Sequence, residues 1–168
     1  MKEDLIDKLV SEWNNERPEL DCDAMHVVGR LIKLGKLLEN RATLALKESK
    51  IHYTDLDVLA TIRRSGHPYE LSPKQLMESV LITSGAMTAL LDRMSKLDLI
   101  YRAKDESDGR IRLAGLTKKG KVVIDKAIEL RFAEAKDAVQ LMSTKENTQL
   151  TKLLKKLLSQ LEDTHTSS

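Results

Sequence analysis

The chain has 168 residues, a length that fits one domain with short extensions. Hydrophobic residues make up 41% of it and charged residues 32%, which allows a buried core and is too apolar for a disordered chain. No apolar run is long enough to cross a membrane, and no apolar secretion segment follows the charged start, Met1 to Asp4. The single cysteine, Cys22, excludes an internal disulfide framework, so we expect a cytoplasmic protein.

Charge is distributed unevenly along the chain. Residues 63–121 contain twelve Lys/Arg and seven Asp/Glu, a net +5, whereas the remainder contains sixteen and nineteen, a net −3. A basic middle fits a segment that meets phosphate, although charge runs are usually just solvated faces. The five aromatic residues are too few for a module that stacks nucleic-acid bases on aromatic side chains.

The motifs that carry enzymatic chemistry are absent from the sequence. It contains no His-Glu-x-x-His helix, no glycine-rich phosphate loop and no nucleophile elbow. Its four histidines and one cysteine show no metal-ligand spacing. We therefore expect neither an enzyme nor a bound metal or cofactor.

Apolar residues at helical spacing predict two amphipathic helices at the start of the chain. The range from Leu5 to Trp13 marks the first helix, which Pro18 ends or follows. Asp21 or Asp23 can cap the second helix, which runs to about Glu48.

Capping signals place two further helices. Thr54 or Asp55 caps a third helix, and the run Gly66-His67-Pro68 stops it. A short helix follows, in which Ser72 is the N-cap, a proline takes the first helical position and Gln75 completes a capping box.

After a brief connection, the pattern predicts a second capped helix and then a hairpin. Thr83 caps this helix, whose first turn and outer side are small and polar. From Tyr101 onward the apolar period changes to two, and Asp108-Gly109 is a favourable hairpin turn. A short helix, a tight connection, a second helix and a basic hairpin together predict a winged helix-turn-helix.

This order of elements predicts binding to double-stranded DNA. The tip of a recognition helix must enter the major groove, so bulky apolar residues would be wrong there. An arginine at the hairpin tip can reach the adjacent minor groove. The residues expected to contact DNA are Ser72, Lys74, Gln75, Thr83, Ser84, Gly85, Thr88, Arg93, Arg110 and Arg112, with Asp108 orienting the wing.

Two helices close the chain. Thr117 caps a long helix that runs to about Leu141, and Ser143 or Thr144 caps a last one. A wide leucine stripe, residues 150–161, lies on one side of the last helix.

Three short runs resemble the MarR family of transcriptional regulators. Residues 97–102 (LDLIYR), 105–110 (DESDGR) and 116–120 (LTKKG) match the family's segment after the recognition helix, its wing and the start of its next helix. The sequence departs from the family at Asp98, where glycine is usual, and at Ser107, where arginine is frequent. Because aspartate tolerates the left-handed backbone conformation, we expect the turn at Asp98 to be retained. The serine at position 107 in place of arginine is expected to weaken the binding of the wing to phosphate.

The resemblance implies a mainly α homodimer with a small β-wing, in which N- and C-terminal helices interlock. The expected segments are an N-terminal extra helix (1–20), a dimerisation helix (21–53), the DNA-binding lobe (54–116), C-terminal dimerisation helices (117–163) and a disordered tail (164–168). A two-fold dimer would present two recognition helices to a palindromic operator with half-sites about 34–36 Å apart. The alternative is that the apolar stripes of the terminal helices pack within one chain.

A narrower resemblance is to the PecS-like, urate-responsive branch of the family. Trp13, Asp57, Arg64 and Arg102 match the ligand-responsive positions of that branch. The resemblance implies a regulator whose DNA binding is attenuated by urate or a related anionic aromatic ligand, since arginine forks and an aromatic wall suit such a molecule. Otherwise Trp13 is a core residue, Asp57 and Arg64 are ordinary helix residues, and Arg102 contacts phosphate.

Two other functions stay open on the sequence. Cys22 lies close to a helix N-terminus, as in regulators that sense peroxides, although Asp21 and Asp23 flank it. A winged helix can also serve as a protein–protein adaptor, whose affinity for DNA would show little dependence on salt.

Overall fold

The computed structural model describes residues 2–80, 84–105, 108 and 110–166. These residues form seven α-helices and one three-stranded antiparallel sheet, which confirms the predicted mainly α fold with a small β-wing. The helices are α1 (Leu5–Glu16), α2 (Met25–Ala45), α3 (Tyr53–Arg64), α4 (Pro73–Ser79), α5 (Ser84–Lys96), α6 (Lys118–Ala138) and α7 (Thr144–Thr166). The strands are β1 (Glu70–Leu71), β2 (Ile100–Lys104) and β3 (Arg112–Leu116).

One hydrophobic core lies between α3, α4, α5, the sheet and the first half of α6. Each of these elements contributes side chains that are fully removed from solvent, which include Leu59, Leu76, Met94, Ala114 and Ile124. Leu59 of α3 and Met94 of α5 thus lie on the inward faces of their helices. This core fixes the positions of α4, α5 and the wing relative to one another.

The sheet contains one strand more than the sequence predicts. β3 lies in the centre, paired with β2 and with the two-residue strand β1, which adds Glu70 opposite Gly115. The Tyr101 side chain crosses β3, and its hydroxyl donates to the Glu70 carboxylate at 2.6 Å. A Cβ at position 115 would overlap the Tyr101 ring, so Gly115 is required for this crossing.

Several helix ends differ from the sequence-based expectation. Ala24 occupies the N-cap of α2 without a side-chain bond, so Asp21 and Asp23 do not cap it; Asp21 instead accepts from the Asp23 backbone N–H. His52 is the N-cap of α3, so neither Thr54 nor Asp55 takes that position. The cause is that helix N-cap identity depends on backbone geometry, and aspartate also favours turns just outside a helix.

The remaining boundaries are closer to expectation. Ser72 and Thr117 cap α4 and α6 as predicted, and Ser143 rather than Thr144 caps α7. α2 ends at Ala45 and α6 at Ala138, each three residues before the expected end, whereas α7 continues to Thr166, into the segment expected to be a disordered tail. No helix among the described residues is both long and apolar enough to span a bilayer.

The terminal helices carry apolar faces that one chain leaves uncovered. α1 packs on α2, where Arg30 bonds Asp4 at 2.9 Å and Asp7 at 2.5 Å. Five α7 leucines keep 40–58% of their surface exposed: Leu150, Leu153, Leu154, Leu158 and Leu161. The stripe on α7 is therefore not buried by the described part of its own chain.

The start of α6 is held by the segment that links α5 to β2. Thr117 donates its hydroxyl to the Asp98 carbonyl at 2.7 Å, and Lys119 donates to the Leu97 carbonyl at 2.7 Å. Asp98 adopts the left-handed conformation, with φ of 58°, in agreement with the expectation from the family pattern. A Cβ at Gly120 would overlap the Leu99 carbonyl oxygen, which explains the glycine of the Leu-Thr-x-x-Gly motif.

Replacing Gly120 by alanine is expected to destabilise the protein at the upper end of the roughly 1–3 kcal/mol that overpacking costs, because a backbone carbonyl cannot move aside. Thermal denaturation would measure the loss. Gly35→Ala is the matched control, since no atom lies within 4 Å of its added Cβ and alanine favours a helix interior. Equal melting temperatures for the two variants would contradict the packing argument.

Candidate nucleic-acid interface and ligand site

The outer face of α5 is small and polar, as a recognition helix requires. Met87, Leu91 and Met94 are buried in the core, whereas Gly85 and Thr88 are exposed. The opposite sides of the helix therefore have opposite character. Thr83 and the side chain of Ser84, both expected to contact DNA, lie outside the described part of the chain.

The N-terminus of α4 is fixed by a reciprocal cap. The Ser72 hydroxyl accepts from the Gln75 backbone N–H at 3.3 Å, and Gln75 Oε1 accepts from the Ser72 backbone N–H at 2.9 Å. Lys74 and Gln75 are exposed on the first turn. Ser72, Lys74 and Gln75, which are expected to contact DNA, therefore all lie at the N-terminus of α4. The cap fixes Ser72 and Gln75.

The wing places a cation in solvent and orients it. Asp108 accepts from the Arg110 backbone N–H at 3.0 Å and from its Nε at 3.1 Å, while 93% of the Arg110 side chain stays exposed. Arg112, at the start of β3, is also exposed. These contacts are consistent with the orienting role expected of Asp108. Ser107 and the turn residue Gly109 lie outside the described residues.

Arg93 occupies a different environment from the one expected of a DNA contact. Its guanidinium forms two bonds with the carboxylate of Asp55, from Nη2 at 2.5 Å and from Nη1 at 2.9 Å. Asp55 is completely buried. From the sequence, Asp55 is expected only as a possible helix cap, and no local signal links it to a residue 38 positions away.

In the described part of the chain, the cavity that Trp13 lines does not include the other three residues expected to bind a ligand. Trp13 lines a cavity of about 660 Å³ between α1 and α2, together with Cys22, Lys33 and Lys36. Asp57, Arg64 and Arg102 are not among the residues that line it. Arg102 donates to Asp92 on α5 at 3.2 Å, which links the wing to the recognition helix.

The Asp57 carboxyl is influenced by burial and by the charges of two arginines. Burial raises the pKa of the Asp57 carboxyl, and the charges of Arg131 and Arg64 partly oppose this rise. Arg131 lies on α6, where it donates to the largely buried carboxylate of Glu134 at 2.8 Å. No sequence signal pointed to Arg131, because its place beside α3 depends on how α6 packs.

Comparison with known proteins agrees with this geometry. A family model described as MarR family matches residues 49–111. The HTH-type transcriptional regulator PecS of Dickeya dadantii is 32% identical over 149 residues, which cover 89% of this chain and 90% of PecS.

Solved structures share the fold. A cysteine-to-serine mutant of MarR from E. coli, complexed with operator DNA, superposes with a TM-score of 0.70 at 23% identity, covering 93% of this chain and 99% of that one. BpsR of Bordetella bronchiseptica, whose DNA binding is regulated by 6-hydroxynicotinic acid, superposes with a TM-score of 0.69 at 18% identity, covering 78% of this chain and 91% of that one. These relatives are transcriptional regulators and not enzymes. Since the similarity to PecS spans nearly the whole of both chains, this chain belongs to the MarR family of HTH-type transcriptional regulators.

Proposed function

We propose that the chain is a ligand-responsive repressor that binds a palindromic operator as a homodimer and releases it when urate or a related anionic aromatic ligand binds. The observation that carries the proposal is the pairing of a small, polar outer face on α5 with a wing whose Arg110 is held outward by Asp108. Such a face fits the major groove, and such a cation fits the backbone or the minor groove.

The proposed DNA contacts divide into two kinds. Lys74, Arg110 and Arg112 are exposed cations that would contact phosphate and set affinity without reading sequence. The exposed side chains of Thr88 and Gln75 would form hydrogen bonds with base edges. Gly85, which has no side chain, would let the backbone of α5 approach the DNA closely. Ser72, Thr83 and Ser84 complete the proposed interface.

Dimerisation accounts for the uncovered leucines of α7. Five half-exposed leucines on one helix form an apolar surface that a second copy can bury. A two-fold arrangement places the same surface of each chain against its partner and presents two recognition helices together. The MarR complex with operator DNA has the same fold, which supports this mode of binding.

The ligand chemistry follows from charge. Urate and 6-hydroxynicotinic acid, the regulator of BpsR, are both planar aromatic molecules that can carry negative charge. Arg64 and Arg131 could pair with such an anion, whereas the Asp57 carboxylate, on which both arginine charges act, would be repelled by it. A ligand acts as an inducer only if it binds the DNA-free geometry more tightly, and displacement of Asp57 on α3 would supply that difference. Trp13 and Arg102 are the further proposed ligand residues.

Arg110→Ala is expected to weaken binding to duplex DNA of any sequence, because it removes a phosphate contact. The slope of log affinity against log salt should fall by about 0.9, the value for one phosphate. Titration of labelled duplex at several salt concentrations measures both effects. Lys126→Ala, which removes an exposed charge from α6, should change neither. Wild-type affinity without salt dependence would favour the adaptor function instead.

Urate is expected to release the protein from its operator at or below millimolar concentration. Arg64→Ala should raise the urate concentration for half release at least about tenfold, since a charge-assisted hydrogen bond contributes roughly 1.5–3 kcal/mol. Competition measured by fluorescence anisotropy, with Lys126→Ala as control, tests this. No release at millimolar urate, or a full response from Arg64→Ala, would contradict the proposed ligand site.

Asp57→Asn is expected to raise the melting temperature of the ligand-free protein at pH 7, by at most about 2–4 °C. The folded pKa of Asp57 is raised, so the folded protein loses stability as pH rises through that pKa, and the neutral amide avoids this loss. The difference should vanish below the ordinary value of 3.8, where both side chains are neutral. A lower melting temperature at pH 7 would mean that attraction to the arginines outweighs burial.

A further inference from the structure

The ion pair between Asp55 and Arg93 is the deepest charged contact of the described residues. Asp55 Oδ1 binds Arg93 Nη2 at 2.5 Å, and Oδ2 binds Nη1 at 2.9 Å and the His52 backbone N–H at 2.8 Å. Both oxygens are therefore engaged, and none of the carboxylate is accessible to solvent. A paired fork of this kind is more directional than a single bond.

The pair joins the start of α3 to the last turn of α5. Asp55 lies in the first turn of α3, and Arg93 lies five residues after Thr88 on α5. Five residues turn a helix by about 500°, so Arg93 and Thr88 point to sides of α5 that differ by about 140°. Arg93 thus holds the helix from the side of α3 while Thr88 remains on the outer side.

We propose that Asp55 and Arg93 are positioning residues that set operator selectivity by fixing the placement of α5, and that Arg93 does not itself contact DNA. The proposal rests on the proposed function only in taking operator DNA as the ligand. An ion pair with a buried carboxylate adds little net stability, so we assign this pair a role in fixing one arrangement of α5. Base-edge hydrogen bonds need correct placement of α5, whereas the attraction of cations to phosphate tolerates displacement.

The test uses a double variant that leaves no unpaired buried charge. Asp55→Asn keeps an oxygen to accept from His52, and Arg93→Met keeps the apolar stem. The matched control is Arg63→Met/Asp125→Asn, which removes another ion pair formed by α3. In that pair Arg63 of α3 binds Asp125 of α6, with a shortest N–O distance of 2.7 Å. The probes are a duplex selected by the wild-type protein from a random pool and a scrambled duplex of equal length.

The proposal predicts that the double variant loses at least tenfold in affinity for the selected duplex. Its affinity for the scrambled duplex should stay within about twofold of wild type, and the slope of log affinity against log salt should be unchanged. The control variant should keep the selectivity of the wild type. An equal loss on both duplexes with a salt slope lower by about 0.9 would show that Arg93 contacts phosphate and would overturn the proposal.

Unchanged selectivity in a folded double variant would also overturn it, since the pair would then be structural alone. Arg93→Lys provides an independent measurement if the double variant does not fold: it keeps the charge but not the fork, and should lose selectivity at an unchanged salt slope. A wild-type protein that selects no duplex would contradict the proposed function itself, which distinguishes that failure from failure of the inference.

Discussion

Three consecutive carbonyl groups between α5 and β2 organise the DNA-binding lobe. The carbonyls of Leu97, Asp98 and Leu99 accept from Lys119, from the Thr117 hydroxyl and from the Thr117 backbone N–H. The recognition helix, the wing and the long helix α6 therefore meet at one junction. These bonds depend on the left-handed Asp98 and on the missing side chain of Gly120, which lets the start of α6 lie directly against the Leu99 carbonyl.

Two carboxylates on α3 experience opposite environments although they are only two residues apart. Asp55 is buried but accepts three hydrogen bonds, one from His52 and two from Arg93, which compensate for the loss of water. Asp57 is partly buried, and the charges of Arg131 and Arg64 do not fully compensate it, so its pKa is raised. One helix therefore carries a carboxylate that is bound to α5 and, two residues later, a carboxylate whose charged form is disfavoured by burial.

The sequence predicted the features that depend on local geometry. The caps at Ser72 and Thr117 follow from short-range patterns, and the structure confirms them. β1 was missed because two residues carry no periodicity. The Asp55–Arg93 pair and the approach of Arg131 to Asp57 were missed because they depend on packing between distant segments. For the same reason the sequence could not show that Trp13 and Asp57 stand apart within one chain.

In the proposed homodimer, the uncovered leucines of α7 would make the oligomeric state of the protein depend on its concentration. Burying them in a second copy is a bimolecular step, so the fraction of paired chains rises with total concentration. Where chains are scarce, the amount able to span both halves of a two-fold site grows with the square of the number of copies. In the proposed homodimer, a modest rise in synthesis would then produce a disproportionate rise in operator occupancy, so that the expression level itself would affect the response.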